Sequence, residues 1–364
     1  MSAAPRVLLL EPYLTESHRH LVELLARKLP FDFRVLTMPA RKWKWRVRGA
    51  ALHLARELER AEPADVVFSS AYLSLTDLVA LGPAWLREAR RIVYFHENQL
   101  AYPQRLEREW DFHFGMTNLT TALAADVAVF NTRFNRDSFL EAIPAFLRRF
   151  PDYRPLWLAE RVAARARVLP PPLDPQEFTG LPRAARADAA RIAWNHRWEY
   201  DKNPDEFFAA LAELERRSLP FELVVLGREF RDRPPIFDRA RERFAGRIVH
   251  WGYAPSRADY LALLASCDLV VSTALHEFFG LAVMEAVRCG CTPLLPERLA
   301  YPELFPREHL YADGQLVPAL VERVENVARL RREDPRALAA PWEWPRWAAA
   351  YAGLFERAGD RDSP

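Results

Sequence analysis

The sequence predicts an α/β protein built from two doubly wound parallel-sheet domains, and three observations carry that prediction. Short, β-rich apolar runs alternate with amphipathic stretches of helical length. The alternation halts at a proline-rich stretch in mid-chain and then restarts. The 364 residues are enough for about two cores. Half of them are hydrophobic and 27% are charged, a balance that excludes a disordered or low-complexity chain.

In the first half, Arg6–Leu10 opens the alternation with an unbroken apolar run, as a strand covered on both faces requires. His18–Leu29 follows with the apolar spacing of a helix. Phe33–Leu36 and Val47–Arg60 repeat the strand–helix pair. Val66–Ser69, Ile92–Phe95 and Val127–Phe130 complete the strands, with helical spacing over Thr76–Arg90 and Met116–Ala124. Arg167–Pro175, which contains three consecutive prolines, is the stiffest stretch of the chain and reads as a linker.

After residue 190 the pattern restarts. Ile192–Trp194, Leu223–Leu226, Ile248–Trp251, Leu269–Ser272 and Thr292–Leu295 are expected strands. Pro204–Arg217, Ile236–Phe244, Arg257–Ala265, Leu281–Arg288 and Gln315–Arg331 are expected helices. The tail, from Trp342 through Trp344 and Trp347 into Ala348–Ala358, reads as a last helix anchored by aromatics. The expected organisation is a Rossmann-like domain over 1–168, a linker over 169–190, a second such domain over 191–340, and a helix and tail over 341–364. Two doubly wound halves so joined are expected to face each other across a ligand cleft.

Composition narrows the class of function. No run approaches the ~18 apolar residues needed to span a bilayer. The N-terminus lacks the basic, apolar and small-residue sequence of a signal peptide. Cys267, Cys289 and Cys291 are too few and too clustered for a disulfide framework, and Cys289-Gly-Cys291 is not a metal-site spacing. A cytoplasmic protein without stable membrane insertion is expected. The net charge of +2 hides an asymmetry: residues 1–168 carry 25 Lys and Arg against 19 Asp and Glu. A basic N-terminal half suits a polyanionic partner, although an excess of this size also arises by ordinary scatter.

Four motifs carry chemistry. The first is His276-Glu277-Phe278-Phe279-Gly280-Leu281, running to Glu285. It follows a strand and opens a helix, with Glu277 in the loop and Glu285 in the second helical turn. The free N–H groups of Phe279, Gly280 and Leu281 are expected to form an anion site. The alternative is two solvated glutamates around a tight glycine turn. The second is Trp194–Pro204, where Arg197 and Lys202 lie in a strand-to-helix loop and suit a diphosphate; the alternative is a surface loop of ordinary ion pairs. The third is Tyr94–Pro103, which sets His96, Glu97, Asn98 and Gln99 just beyond a strand's carboxyl end. A histidine satisfied by backbone is the bland reading there. Trp251-Gly252-Tyr253 frames a base or is simply core. The fourth is Pro39–Arg48, where Arg41, Lys42, Lys44, Arg46 and Arg48 interleave with Trp43 and Trp45. That composition suits phosphate neutralisation with base stacking on RNA, an interfacial helix on anionic lipid, or a basic helix start with its tryptophans turned inward.

Taken together these residues resemble a known family. The strand–Glu277-x7-Glu285–helix arrangement is shared with the retaining glycosyltransferases of GT-B fold. Pro39–Arg48, His96–Leu100 with Tyr102-Pro103, Asp126–Asn131 and His196–Glu199 resemble the tRNA-queuosine α-mannosyltransferase family, and the likeness runs from Val7 to about Glu303. One departure is Leu14-Thr15-Glu16 ahead of Ser17-His18, where relatives tend to carry a glycine pair.

The resemblance implies transfer of mannose from GDP-mannose to the cyclopentenediol of queuosine at the wobble position of tRNA-Asp, with retention at the anomeric carbon. It implies His96 and Glu277 as the catalytic pair facing the sugar. Arg197, Lys202, Phe279, Gly280 and Leu281 would then hold the donor diphosphate, and Glu285 its ribose. Arg41, Lys42, Trp43, Lys44, Trp45, Arg46, Asn98 and Gln99 are the expected acceptor and RNA contacts. No metal or other cofactor is expected; the sole Asp-x-Asp, at Asp360 and Asp362, lies in the tail. The competing readings are a membrane-surface mannosyltransferase acting on a lipid or glycan, and a non-catalytic RNA-binding relative.

Overall fold

The computed structural model describes residues 4–101, 111–181, 189–230 and 233–356. The chain forms two compact units. The first comprises residues 1–172 together with 344–364, and the second Leu173–Glu343.

In the first unit the order is β1 (Arg6–Leu14), α1 (Glu16–Lys28), β2 (Asp32–Pro39), α2 (Trp43–Leu58), β3 (Val66–Ser70), α3 (Leu75–Leu81), β4 (Arg90–Phe95), α4 (Phe112–Ala124), β5 (Val127–Phe130), α5 (Arg133–Arg148), α6 (Leu158–Ala163) and β6 (Ala166–Val168). The six strands form one sheet in the order β2-β1-β3-β4-β5-β6, and every pairing is parallel. Alternate strand residues feed two cores, as a sheet covered on both faces demands. On one face Leu8, Leu10, Val67, Val93 and Phe95 pack under α2 to α5. On the other, Val7, Leu9, Phe68 and Tyr94 pack under Leu21, Leu24 and Leu25 of α1.

The second unit runs β7 (Ala190–Asn195), α7 (Pro204–Arg216), β8 (Phe221–Leu226), α8 (Ile236–Arg243), β9 (Ile248–Gly252), α9 (Arg257–Ala265), β10 (Leu269–Val271), α10 (Leu281–Arg288), β11 (Thr292–Pro296), α11 (Tyr301–Leu304), β12 (Leu310–Tyr311), α12 (Leu316–Glu325) and α13 (Val327–Leu330). Its sheet order is β12-β11-β10-β7-β8-β9, again all parallel. This is the dinucleotide-binding order, in which the chain reverses direction between β7 and β10. The equivalent reversal in the first sheet lies between β1 and β3. At such a point the two neighbouring loops leave in opposite directions and open a crevice, so side chains just beyond these strand ends are the ones placed for a ligand.

The last helix, α14 (Trp344–Phe355), returns to the first unit. Its Trp344, Tyr351, Leu354 and Phe355 join the core beneath α1. The Tyr351 hydroxyl donates to the Pro170 carbonyl at 2.8 Å, and the Arg90 guanidinium to the Glu356 carbonyl at 2.5 Å. The sequence set the tail apart as a piece of its own; its aromatics are the missing cover for one face of the first sheet.

Other elements differ from expectation for local reasons. The helix expected over Thr76–Arg90 breaks at Gly82-Pro83, because proline supplies no N–H and disfavours helical geometry in the residue before it. Helix α5 forms although the sequence reading left 133–148 unassigned, and it carries Pro144 internally. The helix expected over Gln315–Arg331 divides at Asn326 into α12 and α13. Of the linker expected over 169–190, residues 182–188 lie outside the described residues, and Pro175–Phe178 forms a single helical turn. Among the described residues no helix is long and apolar enough to cross a membrane.

Candidate active site

The second unit gathers its candidate residues at the β7/β10 reversal. Asn195 ends β7 and donates from its amide to the Tyr260 hydroxyl and to the Ala282 carbonyl, each at 2.8 Å. The loop that follows is anchored by Trp198, buried and stacked on Phe237 at 4.3 Å. Two hydrogen bonds tie this loop to the one after β10: the Thr273 hydroxyl donates to the Lys202 carbonyl and the Leu275 N–H to the Asp201 carbonyl, both at 2.8 Å.

Lys202 is therefore delivered, almost wholly buried, into the adjacent loop. Its ammonium donates to the His276 carbonyl at 2.6 Å and lies 3.3 Å from Glu277 Oε2 and 3.1 Å from Asp201 Oδ2. Burial works against its charge, but the Glu277 and Asp201 carboxylates outweigh burial and raise its pKa. Burial likewise opposes ionisation of Glu277, yet Lys202, His196, His276 and the Phe279 N–H hold its pKa down at about 2. His196, buried beside Lys202, is pushed down to about 3 and is neutral at ordinary pH. Arg197 stands at the surface of the same loop, 3.1 Å from Glu199.

The expected anion site is present but occupied from within. Glu277 Oε1 accepts the N–H groups of Phe278 at 3.1 Å, Phe279 at 3.4 Å and Gly280 at 3.0 Å. The N–H groups of Phe279 and Gly280 are thus not free, as the sequence reading had them: Glu277 bends back over the turn and satisfies them itself. The turn requires a left-handed residue, which Gly280 supplies at φ +77°, and Leu281 opens α10 directly after it. Glu285, one turn further on, is buried. Its carboxylate accepts from the Tyr260 hydroxyl at 2.6 Å and pairs with Arg257 at 2.7 Å. Asn195, Asp201, Arg257 and Tyr260 were not found from sequence. Asn195 and Asp201 lie within the Trp194–Pro204 motif but carry no mark that sets them apart there, while Arg257 and Tyr260 belong to no motif and meet Glu285 only through the fold.

The first unit carries a cluster of its own at the β1/β3 reversal. His96 follows β4, its carbonyl held by the Asn131 side chain at 2.7 Å. Its ring stacks on His18 with centroids 3.8 Å apart and planes 12° from parallel. Burial, and then the neighbouring His18, lower the His96 pKa well below the usual imidazole value. Glu97 accepts from the Tyr72 hydroxyl at 2.5 Å and from Gln99 Nε2 at 3.1 Å. Asn98 corrects an expectation. It is fully buried, its amide nitrogen bonded to Asn135 and Ser138 and its oxygen to the Ala101 N–H. It therefore shapes the loop and presents nothing to RNA. Tyr102 and Pro103 lie outside the described residues.

The basic segment divides in two. Trp43, at the start of α2, is half-buried and lies 4.9 Å from the Phe114 ring, in a cluster with Val47, Tyr72 and Tyr13. Trp45 points outward and is 63% exposed, alongside exposed Arg41, Lys42 and Lys44. Arg46 reaches back to the Pro39 carbonyl at 3.4 Å. Trp251 belongs with the core, packed against Trp198 and Phe208, whereas Tyr253 is exposed.

Among the described residues, Glu11, His18 and His96 bring three ligand-type atoms within 4.8 Å of one another. Each imidazole lone pair lies in its own ring plane, and near-parallel planes 3.8 Å apart cannot both contain one ion. The arrangement fits stacking rather than chelation.

Residues 6–173 match the family described as tRNA-queuosine alpha-mannosyltransferase N-terminal, and residues 184–337 match glycosyl transferases group 1. Over 339 residues the chain is 36% identical to the tRNA-queuosine alpha-mannosyltransferase of Drosophila melanogaster, covering 91% of this chain and 89% of that protein. The chain belongs to the tRNA-queuosine alpha-mannosyltransferase family. A more distant relative is a GDP-mannose:cellobiosyl-diphosphopolyprenol alpha-mannosyltransferase of Xanthomonas oryzae, 27% identical over 55% of each chain. Among solved structures, sucrose-phosphate synthase from Thermosynechococcus elongatus is similar at a TM-score of 0.72 and 16% identity, covering 96% of this chain and 98% of that one. Anabaena HepE in complex with UDP-glucose is similar at 0.66 and 14%, covering 96% and 98%. The family member described here is a glycosyltransferase of GT-B fold, with both of its units Rossmann-like.

Proposed function

We propose that this protein transfers mannose from GDP-mannose to the cyclopentenediol of queuosine at the wobble position of tRNA-Asp, retaining configuration at the anomeric carbon. The observation that carries the reading is the arrangement of Lys202, Glu277 and the turn at Gly280, in a chain of this family. Lys202 and Arg197 supply positive charge, and the turn supplies N–H groups, where a donor diphosphate needs both.

Donor binding then exchanges one anion for another. The diphosphate takes the N–H groups that Glu277 now occupies, and the freed carboxylate turns to the sugar hydroxyls. The bond from the anomeric carbon to the diphosphate oxygen breaks, and the charge growing on that oxygen is offset by Lys202 and Arg197. The acceptor hydroxyl bonds to the anomeric carbon on the face the diphosphate leaves, and its proton passes to a diphosphate oxygen. GDP departs. No step requires a metal. His96 is proposed as the sugar contact of the first unit, Glu285 as the ribose contact, and exposed Arg41, Lys42, Lys44 and Trp45 as contacts to the RNA backbone and a base. A tRNA acceptor implies action in the cytoplasm.

The test is to incubate the protein with GDP-mannose and queuosine-containing tRNA, digest the tRNA, and seek hexosylated queuosine by mass spectrometry. The product is expected with wild type and reduced at least ~100-fold in Glu277→Ala, with GDP binding retained. GDP-mannose binding without product would move the acceptor to another RNA, a glycan or a lipid, and vesicle co-sedimentation would identify the last. No binding of any sugar nucleotide would end the proposal.

A further inference from the structure

We infer that Glu11 is a positioning residue of the acceptor-side unit: from the end of β1 its carboxylate fixes the proton on one ring nitrogen of His96, through the stacked His18–His96 pair. The inference rests on the transferase reading above, in which His96 meets the sugar.

Glu11 is 1% exposed, and a buried carboxylate is costly unless its oxygens are satisfied. One oxygen is. Oε1 accepts the Ser70 hydroxyl at 2.9 Å and the Tyr13 N–H at 2.9 Å, one donor from the end of β3 and the other from β1 itself. These two bonds clamp the carboxylate across the β1/β3 reversal and aim its other oxygen. Among the described residues Oε2 faces two imidazole nitrogens: His18 Nδ1 at 3.3 Å and His96 Nε2 at 4.0 Å. Neither is aligned as a hydrogen bond, so the carboxylate acts on both rings as a fixed negative charge.

Stacking limits what the pair can do. Two imidazolium rings 3.8 Å apart repel each other, so one positive charge is the most the stack holds beside one carboxylate. Burial and the nearness of His18 both disfavour the charge on His96. His96 is then neutral. A neutral imidazole places its single N–H toward a carboxylate and its lone pair away from it. With Nε2 on the Glu11 side, the proton belongs on Nε2, and Nδ1 is left as the acceptor. A hydrogen-bond acceptor is what orients a sugar hydroxyl. Among the described residues Oε2 has no ordinary donor, so the two rings are what the buried acid serves.

The experiment uses the full chain labelled with 15N-histidine. Long-range 1H–15N correlation spectra at pH 7 report the tautomer of each ring, and the His96 signals are identified by their loss in His96→Asn. Wild-type His96 is expected as the neutral Nε2–H form. In Glu11→Gln its nitrogen shifts should move toward a mixture of tautomers. kcat should fall about tenfold or more, as when the carboxylate behind a functional histidine is removed, with the KM for the donor within about twofold. Glu11→Asp should recover part of kcat. If Glu11→Gln does not fold, Ser70→Ala removes one clamp and should move the same signals less. Unchanged His96 signals and kcat in a folded variant would overturn the inference. So would one equivalent of bound zinc in wild type that Glu11→Gln loses. If wild type shows no transferase activity, the spectra alone still decide the role of Glu11, separately from the function proposed above.

Discussion

Glu277 sits between two opposing demands, and its ionisation shows which one wins. Burial favours the neutral acid, while the Lys202 ammonium and three backbone N–H groups favour the carboxylate; the result is a pKa near 2 instead of 4.5. A depressed carboxylate stabilises the fold fully above its unfolded value and loses that contribution as pH falls from about 4.5 toward 2. His196 works in the same direction by a different route. It is buried neutral, so its contribution is full above about 6.5 and is lost as pH falls through 6.5 toward 3. The stability of the second unit, followed by urea unfolding, should therefore begin to decline below about pH 6.5. His196→Gln should abolish the decline between about 6.5 and 4.5 and make it shallower below 4.5, where Glu277 still contributes. Lys202 and Glu277 were legible in the sequence because a strand, a loop and a helix start hold them at fixed spacing. Glu11, Tyr260 and Arg257 were not. Nothing in the chain marks an acid in β1 as the neighbour of a histidine after β4 until the strand order sets them side by side.

At the scale of elements, the alternation of apolar runs and helical spacing located ten of the strands, because buried parallel strands are continuous apolar runs. The two it missed, β6 and β12, are edge strands of three and two residues, too short for any period to register. Helix α5 was missed for the opposite reason, since polar Asn131, Thr132, Asn135 and Ser138 crowd its start. The structure shows these to be a cap and a buried amide network rather than a loop: Thr132 caps the helix at the Asn135 N–H, and Asn135 bonds to Asn131, Asn98 and Phe95. One glycine is essential to the architecture of the second site. Gly227, just past β8, adopts φ +140°, and a Cβ there would stand 1.8 Å from the His196 carbonyl oxygen. The two strand-end loops can approach so closely only without a side chain. Gly227→Ala should destabilise by about 3 kcal/mol or more, through overpacking and backbone strain together. A thermal melt beside Gly246→Ala, where a Cβ meets open space, would separate this cost from that of losing any glycine.

Across the whole molecule, each unit places its candidate groups at its own topological reversal: Glu11, Ser70 and His96 in the first, Asn195, Lys202 and Glu277 in the second. Doubly wound architecture was legible because it needs only alternation; the membership of the last helix was not, because aromatic anchors announce that a segment is covered without saying by what. The chain leaves the first unit after Pro172 and rejoins it at Trp344. Leu173 and Glu343 form a bridge, with the Leu173 N–H bonded to the Trp342 carbonyl at 2.9 Å, so the ends of the second unit are already together. Residues 173–343 expressed alone should melt cooperatively and gain thermal stability with GDP; a product that is soluble but lacks a cooperative transition would contradict this. The same topology reverses the order of events on the ribosome. Translation makes the first sheet before the second unit, yet the core of Leu9, Phe68 and Tyr94, begun under α1, is completed only by α14, which follows the second unit. The later-made unit, closed on itself, can be finished while the earlier one is still holding an apolar face open, and that interval is when the nascent chain most needs a chaperone.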